Sequence, residues 1–464
     1  MGSIRAIGFD MDHTLVPYNR DTFEALAFRE TLKKFIAAGY PEELSTLEFH
    51  PSFSIRGLLV DRDRGNLLKV DGHKYVKIAM HGRQTLDKET RWDLYNRESF
   101  RADAFLSVDS FFALSEVQLF AEIVDYMSRN PGKINKTFNE VYSDLRQFID
   151  LSHADGSIKS EVLRNPERFV HRDKYLPETL FRLIEGGKHL FLLTNSAWDY
   201  TSAIMSFTFD GSHPEIKGWR DFFSHVIVGS SKPGFFMGTQ PFFEVVTDSN
   251  LLKTHGGKLD PGHVYHGGNA RLFQRSTGFK GDEILYVGDH LYSDIIRSKG
   301  LFNWRTMLVV EELENELPRR ESLKPMLDTI RDTLSERERL DEEHQIMRNK
   351  LLAAERQREL ALHRGEKKKA GYIDKELEKH REKFAELDAQ VSEIEKRIKE
   401  MIATIEKDFH PVWGQTLRVG LERSRFADQL EDYACLYTSR VANLRFYSPF
   451  KRFTSAHDVL PHEL

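Results

Sequence analysis

Four short apolar runs, each breaking off at polar residues, constrain the fold of this 464-residue chain more than any other feature. Residues 4–9 run into Asp10, residues 188–193 into Thr194 and Asn195, residues 223–228 into the loop Gly229-Ser230-Ser231-Lys232-Pro233, and residues 283–287 into Gly288 and Asp289. Continuous apolar runs of this length read as strands buried on both faces, the pattern of a parallel sheet covered by helices. Open α/β sheets bind ligands beyond the carboxyl ends of their strands. The four polar tips are therefore expected to converge on one site.

The chain between Asp10 and Thr194 is far longer than a crossover helix requires, so an inserted domain is expected there. Apolar residues at Phe138, Val141, Tyr142, Leu145, Phe148 and Ile149 trace one helical face. The insert is read as a mainly helical cap over the sheet. From 326 to 408 the composition shifts to Glu, Lys and Arg, and no proline occurs. Within it Ile373, Leu377, His380, Phe384, Leu387, Val391, Ile394, Ile398, Met401 and Ile405 alternate steps of four and three, a heptad seam interrupted only by His380. An earlier arm is less regular, with Leu327, Ile330, Leu334, Leu340, Met347, Leu351 and Ala354, and the stretch 364–371 offers turn glycines between the arms. A helical coiled-coil hairpin is the simplest arrangement, and pairing between chains is its competitor. Aromatic residues return after Pro411 (Tyr433, Tyr437, Phe446, Tyr447, Phe450), so the tail is expected to fold back on the globular part. The expected division is a catalytic core of 1–18 and 175–325, a cap of 19–174, a hairpin of 326–408 and a C-terminal segment of 409–464.

Charge and cysteine content narrow the function classes. Lys and Arg number 67 against 72 Asp and Glu, a net charge of −5, which lacks the basic excess of a general nucleic-acid binder. Charged residues at 30% and hydrophobics at 40% suit a folded soluble chain rather than a disordered one. The single cysteine, Cys435, has no internal partner, and no secretory leader is visible, so a cytoplasmic location is expected. The longest apolar runs fall far short of the ~20 residues a membrane span needs. The start Met-Gly-Ser-Ile-Arg-Ala lacks the Ser or Thr of a myristoylation signal. No membrane partner is expected.

The chemistry resides at the tips. Asp10-Met11-Asp12-His13-Thr14-Leu15 places two carboxylates at i and i+2 on a loop leaving a strand, where one can act as nucleophile and the other as acid and base. The same string can also be no more than a polar turn. Thr194-Asn195-Ser196 adds hydroxyl and amide donors, Lys232 a positive charge, and Asp289 and Asp294 two further carboxylates. An all-oxygen donor set suits a hard cation, magnesium above all. Together these are the parts of phosphoryl transfer through an aspartyl-phosphate. His13 and His290 are read either as residues that support the motif aspartates from behind or as packing residues beside them.

In order and kind, the four motifs resemble those of the haloacid-dehalogenase-like phosphohydrolases. The chain is more closely similar to the cytosolic purine 5′-nucleotidase family specific for IMP and GMP. That likeness rests on Lys232-Pro233-x-Phe235-Phe236, Gly288-Asp289-His290-x-x-x-Asp294-Ile295, Leu308-Val309-Val310-x-Glu312-Leu313, Tyr447-x-Pro449-Phe450 and Leu460-Pro461-His462-Glu463. It implies a Rossmann-like α/β core with a parallel sheet, Asp10 as nucleophile, and Asp12 as the acid and base. It further implies magnesium held by Asp10, the Asp12 carbonyl and Asp289, with phosphoryl oxygens held by Thr194 and Lys232 and Lys232 oriented by Asp294. Asn195 and Ser196 would lie against the substrate. In the cap, Arg146, Asp150 and His153 share one helical face at i, i+4 and i+7, and with Lys159 are similar to the family's purine-recognition segment. An ordinary surface Arg–Asp pair is the plainer account of Arg146 and Asp150. Arg146 would donate to O6 and N7, and Asp150 would accept the N1 proton that adenine lacks. Vertebrate members form homo-oligomers controlled by nucleotide effectors, but no motif here carries the effector residues over. The expectation is a magnesium-dependent IMP and GMP 5′-nucleotidase, also able to transfer phosphate to a nucleoside. Its alternatives are a phosphatase for another small phosphomonoester, or a nucleotide-regulated scaffold with a vestigial site.

Overall fold

The computed structural model describes residues 1–97, 101 and 104–454, so the Leu460-Pro461-His462-Glu463 string lies outside the described residues. In chain order the strands are β1 (Ala6–Phe9), β2 (Leu59–Asp61), β3 (Asn66–Val70), β4 (Val76–His81), β5 (Gln84–Thr85), β6 (Leu106–Ser107), β7 (His189–Leu193) and β8 (His225–Val228). They continue with β9 (Phe242–Val246), β10 (Leu251–Thr254), β11 (Val264–Gly267), β12 (Ile284–Gly288), β13 (Arg305–Val309), β14 (Arg418–Val419), β15 (Glu422–Arg423) and β16 (Leu436–Thr438).

Nine of these form one sheet in the order β10-β9-β11-β8-β7-β1-β12-β13-β16. The run from β11 to β16 is parallel throughout, and β9 and β10 add an antiparallel edge. The four apolar runs of the sequence are the neighbours β8, β7, β1 and β12. Their side chains alternate between two buried layers: Ile7, Phe9, Leu190, Leu192, Leu285 and Val287 on one face, and Ala6, Phe191, Leu193, Ile284 and Tyr286 on the other. Both faces exclude water, which is why these strands read as unbroken apolar runs. Gly8 is fixed by its neighbour, since a Cβ there would lie 2.2 Å from the Phe191 ring. The strands on either side of β1 lie on opposite flanks, so the sheet changes direction at β1 and opens a crevice there.

The insert after β1 is mainly helical, with helices Arg20–Ala37, Ala113–Arg129, Phe138–Ala154 and Ser157–Arg164. It also contains a five-stranded antiparallel sheet, β5-β4-β3-β2-β6, that the helical reading of the segment did not separate. The helix Phe138–Ala154 starts at a capping box, in which Thr137 and Glu140 satisfy each other's backbone N–H groups. The tail returns to the sheet through β16, which pairs with β13, and through Val441, Ala442 and Leu444 in the core. Of the aromatic residues that suggested this contact, Tyr433 packs against the cluster of Leu291, Ile295 and Leu308, whereas Tyr437, Phe446, Tyr447 and Phe450 are exposed.

A second compact unit spans Asn315–Gln415. Its helices Lys324–His363 and Lys367–Phe409 run antiparallel, tied by Arg337–Glu395, His344–Asp388, Arg381–Glu355 and Arg358–Asp374. The heptad positions Ile373, Leu377, Leu387, Ile398 and Ile405 are buried. The turn is tighter than the glycines suggested: Gly365, at φ +76°, makes it alone, and Gly371 lies inside the second helix. Among the described residues, no helix is long and apolar enough to cross a membrane.

Candidate active site

The tips of β1, β7, β8 and β12 meet at a cavity of about 390 Å³ whose opposite wall is the insert. Lys232 Nζ lies 2.8 Å from Asp10 Oδ1 and 2.9 Å from Asp294 Oδ1, and donates to the Tyr286 hydroxyl at 2.8 Å. Tyr286 in turn donates to the Leu193 carbonyl, so a side chain from β12 ties the lysine to the end of β7. Burial alone would lower the lysine's affinity for its proton. Asp10 and Asp294 outweigh it and hold the ammonium well above its ordinary value. The approach of Asp294 requires Gly288, where a Cβ would sit 2.3 Å from Asp294 Oδ2.

Asp10, Asp289 and Asp294 offer carboxylate oxygens within 4.8 Å of one another, all buried. Burial pushes Asp10 up to about 7, against the pull of Lys232, and pushes Asp289 well above the carboxylate range. Asp289 Oδ2 is buried with no hydrogen-bond partner. A clustered, desolvated and partly unpaired carboxylate set of this kind fits a hard divalent cation, whose charge would restore the ionised forms. Arg56 supports the same loop from the insert. Its fully buried guanidinium donates at 2.7 Å to the Asp289 carbonyl and at 2.8 and 2.6 Å to the two oxygens of Glu312.

Asp12 stands apart from this triad. Tyr18 donates to its Oδ1 at 2.7 Å and Ser196 to its Oδ2 at 3.0 Å, and Tyr18 and Tyr200 hydroxyls lie 2.9 Å apart. Asn195 fastens the lysine loop, accepting from Lys232 N–H at 2.5 Å and donating to the Lys232 carbonyl at 3.0 Å. Thr194 departs from expectation: it is fully buried behind the cavity wall, and its Oγ1 accepts the Ser196 N–H at 3.0 Å. The β7 tip turns so that Asn195 and Ser196 reach the cavity instead.

On the insert, Arg146, Asp150, His153 and Lys159 all line the cavity. Arg146 donates to Asp150 Oδ1 at 2.6 Å and also pairs with the buried Glu116. The surface-pair account of Arg146 and Asp150 is thus correct as geometry, while both residues also face the cavity. Burial, with Lys159 adding to it, drives His153 down to about 4, so its ring is neutral at physiological pH. Phe112 meets that ring edge-on at 6.0 Å. Tyr18, Phe112, Glu116, Tyr200 and His290 also line the cavity and were not among the expected substrate residues. Only His290 carried a usable signal, since it adjoins Asp289.

A model of the 5′ nucleotidase family matches residues 1–464. The chain belongs to the 5′-nucleotidase family. It is 26% identical over 471 residues to a 5′-nucleotidase domain-containing protein of Dictyostelium discoideum, covering 99% of this chain and 73% of the relative. It is 30% identical over 329 residues to 5′-nucleotidase domain-containing protein 2 of Homo sapiens, covering 68% of this chain and 62% of that one. Solved structures that match include a predicted phosphoglycolate phosphatase from Haemophilus somnus, with TM-score 0.29 and 15% identity over 67% of this chain and 87% of that one. Another is CbbY from Rhodobacter sphaeroides in complex with phosphate, with TM-score 0.24 and 12% identity over 66% and 86%. A phosphoric monoester hydrolase is the activity class that this family membership supports.

Proposed function

We propose that this protein is a magnesium-dependent 5′-nucleotidase that hydrolyses IMP and GMP through an aspartyl-phosphate on Asp10. The observation that carries the reading is the single cavity bounded by Asp10, Asp12, Lys232 and Asp289 on the sheet and by Arg146, Asp150 and His153 on the insert. One end has the groups phosphoryl transfer needs, and the other has the groups that could read a base.

The substrate phosphate lies against Lys232, with Asn195 and Ser196 beside it. The Asp10 carboxylate attacks phosphorus, Asp12 delivers a proton to the departing O5′, and Lys232 offsets the charge on the phosphoryl oxygens. Asp12 then takes a proton from the water that attacks the phospho-enzyme, and a nucleoside hydroxyl can replace that water. The hydrogen bonds from Tyr18 and Ser196 fix the Asp12 carboxylate for both transfers. Asp10, Asp289 and the Asp12 carbonyl would hold magnesium, which supplies Lewis-acid polarisation of the phosphoryl group. Thr194 contributes by bracing the turn that carries Ser196, and Asp294 by orienting Lys232.

Base choice follows from the insert. Arg146 donates to the O6 and N7 acceptors of hypoxanthine or guanine, and Asp150 accepts the N1 proton. Adenine, with no N1 proton, offers Asp150 no donor and so forfeits that hydrogen bond, which sets the two base classes apart. The test is phosphate release from a panel of nucleoside monophosphates and small phosphomonoesters. IMP and GMP should turn over with magnesium and stop with EDTA. A folded preparation that hydrolyses no nucleoside monophosphate refutes the reading, and preference for a non-nucleotide ester replaces it with the simpler phosphatase. Asp150→Asn should narrow the IMP-over-AMP preference; an unchanged ratio removes Asp150 from base recognition.

A further inference from the structure

The loop that carries Asp12 has a second face. Asp12 and Tyr18 line the catalytic cavity, whereas His13, Thr14 and Pro17, with Tyr18 shared, line another cavity of about 440 Å³. His13 sits at φ +54°, a left-handed turn that a non-glycine residue adopts only where its surroundings enforce it. Phe111 and Phe112 hold its ring, with centroids 5.0 and 4.7 Å away.

The floor of this cavity is polar and unpaired. His13 and Thr14 are only 2% and 5% exposed, and neither ring nitrogen of His13 nor the Thr14 hydroxyl has a hydrogen-bond partner. Glu311, in the wall of the same cavity, stands 3.9 Å from His13 Nδ1, near enough for His13 to help hold its carboxyl below the usual range against the effect of burial but too far for a well-formed hydrogen bond. Buried polar groups are nearly always paired, so two adjacent exceptions facing one cavity call for an occupant. At the mouth, Arg172 and Lys174 are exposed, and neither is paired with the cavity's acids Asp173, Glu311 and Glu314: Arg172 lies 4.1 Å from the Phe207 centroid, and Lys174 lies 4.7 Å from that of Tyr175 and bonds its hydroxyl. Arg440, in the same wall, is by contrast engaged by Asp173 at 3.4 Å and Glu314 at 3.5 Å.

We propose that this second cavity binds a small hydroxylated oxyanion, a phosphate- or carboxylate-bearing metabolite. Its charge lies between Arg172 and Lys174, and its hydroxyls pair with His13 and Thr14. Occupancy is felt in catalysis because the same short loop holds Asp12, and because Tyr18, shared by both cavities, donates to Asp12 at 2.7 Å. This last step rests on the nucleotidase reading; the binding step does not.

Calorimetry without magnesium tests binding, with glycerol 3-phosphate and glycerate as the two anionic probes and glycerol as the neutral control. At least one anion should bind the wild type at least tenfold more tightly than it binds Arg172→Ala/Lys174→Ala, and glycerol should not bind. The stronger of the two anions identifies the phosphate or the carboxylate class. Equal affinity in the wild type and the double variant, or no binding of either anion, overturns the site. At saturating IMP, the binding anion should change kcat at least twofold in the wild type and leave kcat of the double variant unaltered. Competition at the catalytic cavity would raise KM alone. A calorimetric signal with no effect on kcat refutes the coupling, and absence of any turnover indicts the nucleotidase reading while leaving the calorimetric result intact.

Discussion

The catalytic body and the helical hairpin handle charge in opposite ways. In the hairpin, pairs such as Arg381–Glu355 and Arg339–Glu343 are largely exposed. Each is screened by water and contributes between zero and about 1 kcal/mol. In the body, the Lys232 side chain is 2% exposed, Asp294 0% and Arg56 0%. Such groups are strongly destabilising when one partner is removed. The comparison teaches that the hairpin carries its charge in water, while the candidate site gathers a few charges withdrawn from it.

The sharpest way to break this comparison is Asp10→Asn, which should cut IMP turnover on the order of 10⁴-fold or more while the circular dichroism spectrum is retained. Near-wild-type turnover would remove Asp10 as nucleophile. Lys232→Met should lower kcat by about 10²–10³-fold, as loss of a preorganised positive group does. It should also lower the melting temperature, because Asp10 and Asp294 then stay buried without their partner. Arg56→Met tests a positioning role: magnesium affinity, measured by calorimetry without substrate, should fall about 10–100-fold. An unchanged affinity would reduce Arg56 to packing.

Glu24 extends the comparison to stability. Its carboxylate is buried, accepts the Ser115 N–H at 3.0 Å and is pushed by burial up to about 7. A folded value above the unfolded one means the folded state holds the proton longer. Stability should therefore fall as pH rises from about 4.5 to about 7, by at most about 3 kcal/mol, and stay lower above that. Glu24→Gln should flatten that decline in denaturant titrations at pH 5 and pH 8; the same pH slope in both proteins would exclude Glu24 as its source. The smallest effect is expected in the hairpin. Arg381→Ala with Glu355→Ala should shift stability by less than about 1 kcal/mol and leave kcat unchanged, and a larger change in kcat would erase the distinction between the two regions.

What the sequence made legible was whatever repeats locally. The four tips were readable because strands buried on both faces leave apolar runs that stop abruptly, and the hairpin because its heptads repeat. The insert's sheet was readable in principle: Leu58-Leu59-Val60 and Leu67-Leu68 flank a turn at Gly65, φ +70°. Such short strands give a weak signal beside a strong helical pattern. The hairpin turn lies within the stretch 364–371 but is shorter than it, because a helix interior tolerates one glycine, here Gly371, for about 1 kcal/mol. The Arg56–Asp289 contact had no local sign, since its partners are 233 residues apart. Thr194 is buried while Asn195 and Ser196 line the cavity, because a strand's polarity pattern gives its tip but not which of the successive residues there turns towards the cavity.

The central claim is that phosphoryl transfer proceeds through Asp10. It is tested most directly by quenching the protein during turnover of IMP with magnesium, reducing with borohydride, and sequencing peptides by mass spectrometry. Reduction of an aspartyl-phosphate yields homoserine, and the account predicts it at position 10 only, dependent on IMP and absent from Asp10→Asn. Steady phosphate release with homoserine at another aspartate would contradict it.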